Sequence, residues 1–181
     1  MSARSIQAQW RDYLDTCSTY GTYADRVHEY RPVGSAMRHL GLADGDLVVD
    51  VGAGDCGLDR WLRTEGGWHG QYLPVDGAIQ GVDLNDWGPS LPADLHVAVE
   101  VVEHVADPWG LMGAMQAQSR RGVVVTTPNA DVVDVLAVDP THVSALRPAD
   151  FTDRGWTVDL LTLNGRGGGD TILASIPGGA R

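Results

Sequence analysis

The chain has 181 residues, no lysine, 13 basic against 24 acidic side chains and a net charge of −11, long enough for one domain with a substantial core. With no lysine, a Schiff-base amine and a phosphate-binding lysine of the Walker type are both excluded. The acidic balance argues against a broad electrostatic grip on nucleic acid or an anionic membrane, while leaving room for a local arginine patch.

Cys17 and Cys56 lie far apart and form no C-x-x-C pair, which predicts free thiols in a reducing cytoplasm. The opening stretch, MSARSIQAQWRDYLD, is too polar for a signal peptide, and no apolar run approaches membrane-spanning length. A soluble, cytoplasmic protein is expected. Residues 5–40 read as helical, with Trp10, Tyr13, Leu14, Tyr20, Tyr23, Val27 and Tyr30 interleaved among charges. Pro32 is expected to start a second helix carrying Met37 and Leu40 toward Gly41.

The stretch Leu47–Gly57, LVVDVGAGDCG, comes next. Its apolar, β-branched start predicts a strand buried on both faces. The strand breaks into Gly52-Ala53-Gly54, and Gly57 completes G-x-G-x-x-G ahead of a helix with Leu58, Trp61 and Leu62 on one face. Such glycines let a ligand approach the backbone, and a helix start offers free N–H groups. A tight strand-to-helix turn without a ligand is the plain alternative. Asp50 before the first glycine and Asp55 after the second would repel a pyrophosphate and suit a ligand carrying an ammonium group.

Gln71–Val75 predicts a second strand whose tip carries Asp76, placed to accept hydrogen bonds from ribose hydroxyls, or else an ordinary Asp-Gly turn residue. Only six residues separate Asp76 from Asp83, too few for a normal crossover helix, so Ile79–Val82 is expected as a third parallel strand reached by a bare loop. Leu95–Val99 is the fourth strand, followed by Glu100, Glu103 and His104. At i, i+3 and i+4, these three would share one face of a helical turn and suit a divalent cation. Acids in a first helical turn are equally stabilised by the helix dipole alone. Asp107-Pro108 starts a helix to about Arg120. Gly122–Thr127 is the fifth strand, ending in Pro128-Asn129. A short helix from about Asp131 to Val138 leads to His142, and Arg147-Pro148 starts another. Thr157–Leu163 and Thr171–Ile176, joined by the Gly165–Gly169 turn, must pair antiparallel.

Over roughly residues 44–177, through D-x-G-x-G at Asp50–Gly54, Asp76, EVVEHVADP, VVVTTPN and the closing hairpin, the chain resembles the Rossmann-like methyltransferases that use S-adenosylmethionine (SAM). Their frequent third glycine is Cys56 here. The resemblance implies an α/β fold, a mostly parallel sheet with a C-terminal antiparallel hairpin and helices on both faces. It implies SAM contacts from Asp50, Gly52, Ala53, Gly54, Asp76, Asp83, Leu84 and Glu100, with Asp83 and Leu84 at the adenine edge. Residues 1–43 would form a helical lid on a single domain whose core is 44–181, with Tyr20 and Tyr23 as lid candidates; these aromatics could equally just pack a helical edge.

The set Glu100, Glu103, His104, Thr127-Pro128-Asn129 and His142 resembles two metal-assisted groups, the ubiquinone-biosynthesis O-methyltransferases and the small-RNA 3′-terminal 2′-O-methyltransferases. That implies Mg²⁺ or Mn²⁺ on Glu100, Glu103, His104 and His142, with His104, His142 and Glu103 as catalytic candidates. A metal-free histidine base and a purely structural cluster are the alternatives. The leading expectation is O-methylation of a small molecule without nucleic-acid or membrane partners. An RNA-terminal methyltransferase, a non-catalytic SAM-binding module and a nicotinamide oxidoreductase are the rivals.

Overall fold

The computed structural model describes residues 23–89 and 92–179. The expectations for Trp10, Tyr13, Leu14, Cys17, Tyr20 and the side chain of Tyr23 fall outside the described residues.

Helix α1 (Tyr23–His39) leads into strand β1 (Leu47–Val51), helix α2 (Gly57–Thr64), strand β2 (Gln71–Val75) and the single turn α3 (Gly77–Gln80). Strand β3 (Ala93–Val99), a 3₁₀ turn (Val102–His104), helix α4 (Pro108–Ala117) and strand β4 (Ser119–Pro128) follow. Short helices α5 (Val135–Val138) and α6 (Pro148–Thr152) precede the hairpin of β5 (Thr157–Leu161) and β6 (Thr171–Pro177). The six strands form one sheet in the order β2-β1-β3-β4-β6-β5. β1 to β4 run parallel, with Val48 opposite both Tyr72 and Leu95, and β6 joins antiparallel to β4 and β5. The mostly parallel sheet with its antiparallel closing pair is as expected.

Side-chain alternation splits the core into two layers. Val49, Val51, Ala98, Val123, Val125 and Ile172 pack on one face with Met112, Met115, Phe151 and Trp156 from and around α4 and α6. Val48, Leu95, Val97, Val124 and Leu173 pack on the other with Tyr30, Val33 and Met37 of α1 and Leu58, Trp61 and Leu62 of α2. Helices therefore cover both faces. Among the described residues no helix is long and apolar enough to cross a membrane.

Four local expectations are corrected. Pro32 starts no new helix: α1 runs through it, because burying Tyr30, Val33 and Met37 on the same side outweighs the one backbone bond a proline removes. Helix α4 stops at Ala117 rather than near Arg120. There Ser119 enters β4 and its hydroxyl donates to the Met115 carbonyl at 2.8 Å. The helix expected over Asp131–Val138 is reduced to Val135–Val138, preceded by a turn in which the Val132 and Val133 amides both donate to the Asn129 carbonyl.

Ile79–Val82 is not a strand either. Residues 77–80 form one helical turn and Gly81 takes a φ of 71°, because so short a connection cannot turn back and extend. That leaves β2 at the edge of the sheet, where unpaired backbone groups invite association. Pro74 carries no donor there, and the Gln80 carboxamide accepts from the Asp76 amide at 2.6 Å while donating to the Pro74 carbonyl at 2.6 Å. One side-chain amide occupies the place of a neighbouring strand's peptide group and fixes the backbone of Asp76.

The chain leaves β1 toward β2 on one side, while β3 lies on the other. Their carboxyl ends open a crevice at this reversal of strand order, the position where open α/β sheets bind ligands.

Candidate functional site

The floor of the crevice is the turn after β1. Gly52 and Gly54 have φ of 74° and 53°, and Cys56 holds φ 60°. Gly52 has a second reason to lack a side chain, since a Cβ there would collide with Val101. Cys56, where related turns often carry glycine, adopts the same left-handed backbone, so the turn keeps its shape with a residue that strains to make it.

Two abutting chambers lie over this turn. The larger, about 260 Å³, is lined by Arg26, Tyr30, Asp50, Gly52, Ala53, Gly54, Asp55, Leu58, Val99 and Glu100. The smaller, about 60 Å³, is lined by Gly52, Gly54, Asp76, Asp83, Leu84, Asn85, Glu100 and His104 among others. All eight residues expected to hold the cofactor line one chamber or the other. Asp76 accepts the Gly54 amide on Oδ2 at 2.9 Å, tying the tip of β2 to the glycine turn. Asp83 takes the Asn85 backbone and side-chain amides on one oxygen, at 3.0 Å each. Asp50 is 3% exposed and accepts a hydrogen bond from the Tyr72 hydroxyl. Burial pushes its carboxyl up to about 7, against the opposing pull of that hydrogen bond.

Glu100 leaves β3 with φ 55°, so its side chain departs before the 3₁₀ turn of Val102–His104 begins. The three residues expected on one helical face are therefore divided. Glu103, His104 and His142 each present a ligand atom within 4.8 Å of one another. Glu100, expected as a ligand from its spacing, is not part of that group and instead walls all three chambers of the crevice.

Each member of the trio is held from behind. Thr127 donates to Glu103 Oε2 at 2.9 Å. The Thr141 hydroxyl donates to Asp139 at 2.6 Å, so its oxygen accepts from His104 Nδ1 at 2.9 Å. His142 Nδ1 lies 2.7 Å from the Val135 carbonyl, which can only accept. Both imidazoles consequently carry their proton on Nδ1 and keep an Nε2 lone pair. The Glu103 carbonyl takes the Val143 and Ser144 amides at 2.8 and 3.0 Å, which brings His142 back over the turn. The two rings meet edge to face, 4.7 Å apart. Burial, then the neighbouring Glu100, holds the Glu103 carboxyl well above the usual carboxylate range. Burial, then His142, lowers His104 to about 4, keeping it neutral at physiological pH.

This trio borders a third chamber of about 100 Å³, completed by Arg26 and Glu29 of α1, Glu100, Asp139, and Asn164 and Arg166 of the β5–β6 turn. That turn is shaped by Asp170, whose carboxylate accepts the Leu163, Asn164 and Arg166 amides at 2.9–3.0 Å. Asn129 takes no place at the site, because its side chain joins the Gly169 carbonyl to the Asp131 amide. Arg26, Glu29 and Arg166 carry no sequence signal: they arrive from the two ends of the chain with no local motif around them.

The buried acids predict a pH effect. Burial raises Asp50 and Glu29 in the folded protein, and lowers His96 from 6.5 to about 4. Above pH 6.5 the histidine is neutral in both states, whereas the folded chain still holds on Asp50, raised to about 7, a proton that the unfolded chain has lost. Stability without ligand should therefore fall from pH 6.5 to about 8, measured by urea melts. A flat or rising profile would show that these acids ionise normally.

No family model matches the chain, and no curated protein does. The fold has solved counterparts. Magnesium protoporphyrin IX methyltransferase from Synechocystis, with S-adenosylhomocysteine (SAH) bound, superposes with a TM-score of 0.59 at 13% identity, covering 96% of this chain and 99% of that one. The fold is that of the Rossmann-like SAM methyltransferases. A chain in the complex of the Haloferax volcanii Trm112 methyltransferase activator with a methyltransferase gives 0.61 at 14% identity, covering 99% and 98%. The DhpI–SAH complex gives 0.55 at 17%, covering 97% and 95%.

Proposed function

We propose that this chain is a cytoplasmic SAM-dependent methyltransferase that transfers the methyl group to an oxygen of a small molecule. The observation that carries the reading is the meeting of three chambers at Glu100. The two over the glycine turn suit the aminoacyl and nucleoside parts of SAM, and the third suits the acceptor. The lid of this reading includes Arg26 and Tyr30, which line the chamber wall.

Methyl transfer from a sulfonium needs alignment and exclusion of water more than a protein nucleophile. As the carbon–sulfur bond breaks and the oxygen–carbon bond forms, SAM becomes neutral SAH and the acceptor hydroxyl releases a proton. The Nε2 lone pairs of His104 and His142 are placed to take it. The same donors fit a divalent ion, since their other atoms are already held by Thr127, Thr141 and the Val135 carbonyl. Glu103, His104 and His142 would hold Mn²⁺ or Mg²⁺, and the ion, when bound, would acidify and orient the acceptor hydroxyl. Imidazole ligands favour Mn²⁺ or another transition ion over Mg²⁺.

Calorimetric titration should give SAH binding and no NAD binding; tight NAD binding without SAH would overturn the reading. Asp76→Ala should weaken SAH by about 1.5–3 kcal/mol if its carboxylate accepts the ribose hydroxyls, and unchanged affinity would leave it a turn residue. The acidic chain and the confined third chamber favour a small acceptor over an RNA end. Binding of generic RNA should be weak and lost with salt.

A further inference from the structure

Glu29 sits on the α1 wall of the third chamber, 5% exposed, and its Oε2 is buried without a hydrogen-bond partner among the described residues. No sequence motif marks it and the methyl-transfer chemistry does not use it. A buried carboxylate oxygen left unpaired is costly, and native structures seldom keep one unless something else satisfies it. Glu100, which also lines this chamber, has a second such oxygen, Oε1.

Arg26 offers Glu29 compensating charge, but its field is spread over Glu100 and Glu103 as well. Arg166 adds its charge near Glu100 from an exposed position. The unmet need on this wall is for hydrogen-bond donors. A carboxylate or phosphate on the acceptor could pair with Arg26 or Arg166 but would leave the Glu29 and Glu100 oxygens without a donor. An apolar acceptor would leave both unsatisfied, and only Pro128 and Val138 could greet it. An amine supplies N–H donors and, when charged, makes the stronger, charge-assisted bond.

We infer that the third chamber takes a small amino alcohol, its amino group held by Glu29 while its hydroxyl faces Glu103 and the two histidines. This rests on the methyltransferase reading for its reaction, but the recognition can be tested apart from it. The probes are three compounds on one three-carbon skeleton: 2-amino-1,3-propanediol, glycerol and glycerate, each titrated by ligand-observed NMR into the full chain with and without SAH. The aminodiol should bind about tenfold or more tighter than glycerate, the ratio expected of one charge-assisted hydrogen bond. Glu29→Gln should bring the three probes within about threefold of one another, with SAH affinity reporting that the variant is folded. Glycerate binding as well as or better than the aminodiol, no aminodiol binding in the wild type, or a preference surviving Glu29→Gln would each overturn the assignment. The wild-type ranking decides the matter even where the variant does not fold. Loss of SAH binding in the wild type would instead strike the methyltransferase reading, and leaves the probe ranking to be read on its own.

Discussion

Gly52→Val should abolish SAH binding and destabilise the protein by about 3 kcal/mol, combining a left-handed backbone forced on a β-branched residue with overpacking against a neighbour. Both costs are fixed by the fold. Gly52 holds φ 74°, and its amide donates to the Val75 carbonyl at 2.7 Å, so the turn cannot relax without breaking its tie to β2. The new side chain would meet Val101 at the start of the 3₁₀ turn and would fill the boundary shared by the two chambers over the glycine turn. Urea unfolding and calorimetry together give the answer. A Gly52→Val protein that kept native SAH affinity would show that the crevice over this turn is not the cofactor site. Gly54→Ala separates the two causes, because at Gly54 the φ is also positive, 53°, while a Cβ meets nothing. Its cost should be the backbone strain alone, about 1 kcal/mol.

The parts legible in the sequence were those in which one short segment dictates its own geometry. DVGAG gave the strand, the positive-φ glycines and the start of α2. Asp107-Pro108 gave a true N-cap, with the Asp107 carboxylate accepting the Gly110 amide at 2.9 Å. The spacing of the last two strands left only an antiparallel pair. Misreadings came where tertiary forces overrule local preference. Pro32 sits inside a helix because the buried face of α1 decides its path. Ile79–Val82 has strand composition, yet the chain is too short to place it in the sheet, and Gln80 covers the edge instead. Glu100 has the right spacing for a ligand set, but spacing assumes a helical turn that already includes it, whereas Glu100 holds φ 55° and the turn begins at Val102. Glu29 and Arg26 were invisible because their role comes from α1 crossing the sheet, and no pattern within α1 records what it will face.

A final expectation concerns the trio of Glu103, His104 and His142. If it is a metal site, the protein should bind Mn²⁺ with one equivalent, and His142→Ala should weaken that binding at least about 100-fold, since it removes one of three protein ligands. Mg²⁺ should compete poorly, because two imidazoles suit a transition ion better than a hard one. Thr141→Val makes the sharper test. Thr141 touches no ion in this scheme; its hydroxyl donates to Asp139 and accepts from His104 Nδ1 at 2.9 Å, which fixes the Nε2 lone pair toward Glu103 and His142. Removing that hydroxyl frees the tautomer and the ring, and should cost about 10–100-fold in Mn²⁺ affinity while leaving SAH binding within about twofold, because the two chambers proposed for the cofactor do not include Thr141. Methyl transfer to any accepted substrate should fall in step with metal affinity and recover with added Mn²⁺. Should wild type bind no Mn²⁺, and turn over fully after chelation, the site holds no ion. His104 and His142 then remain two imidazoles with Nε2 atoms turned to the chamber, and the rate should follow the loss of a base in His104→Ala or His142→Ala, with no rescue by metal.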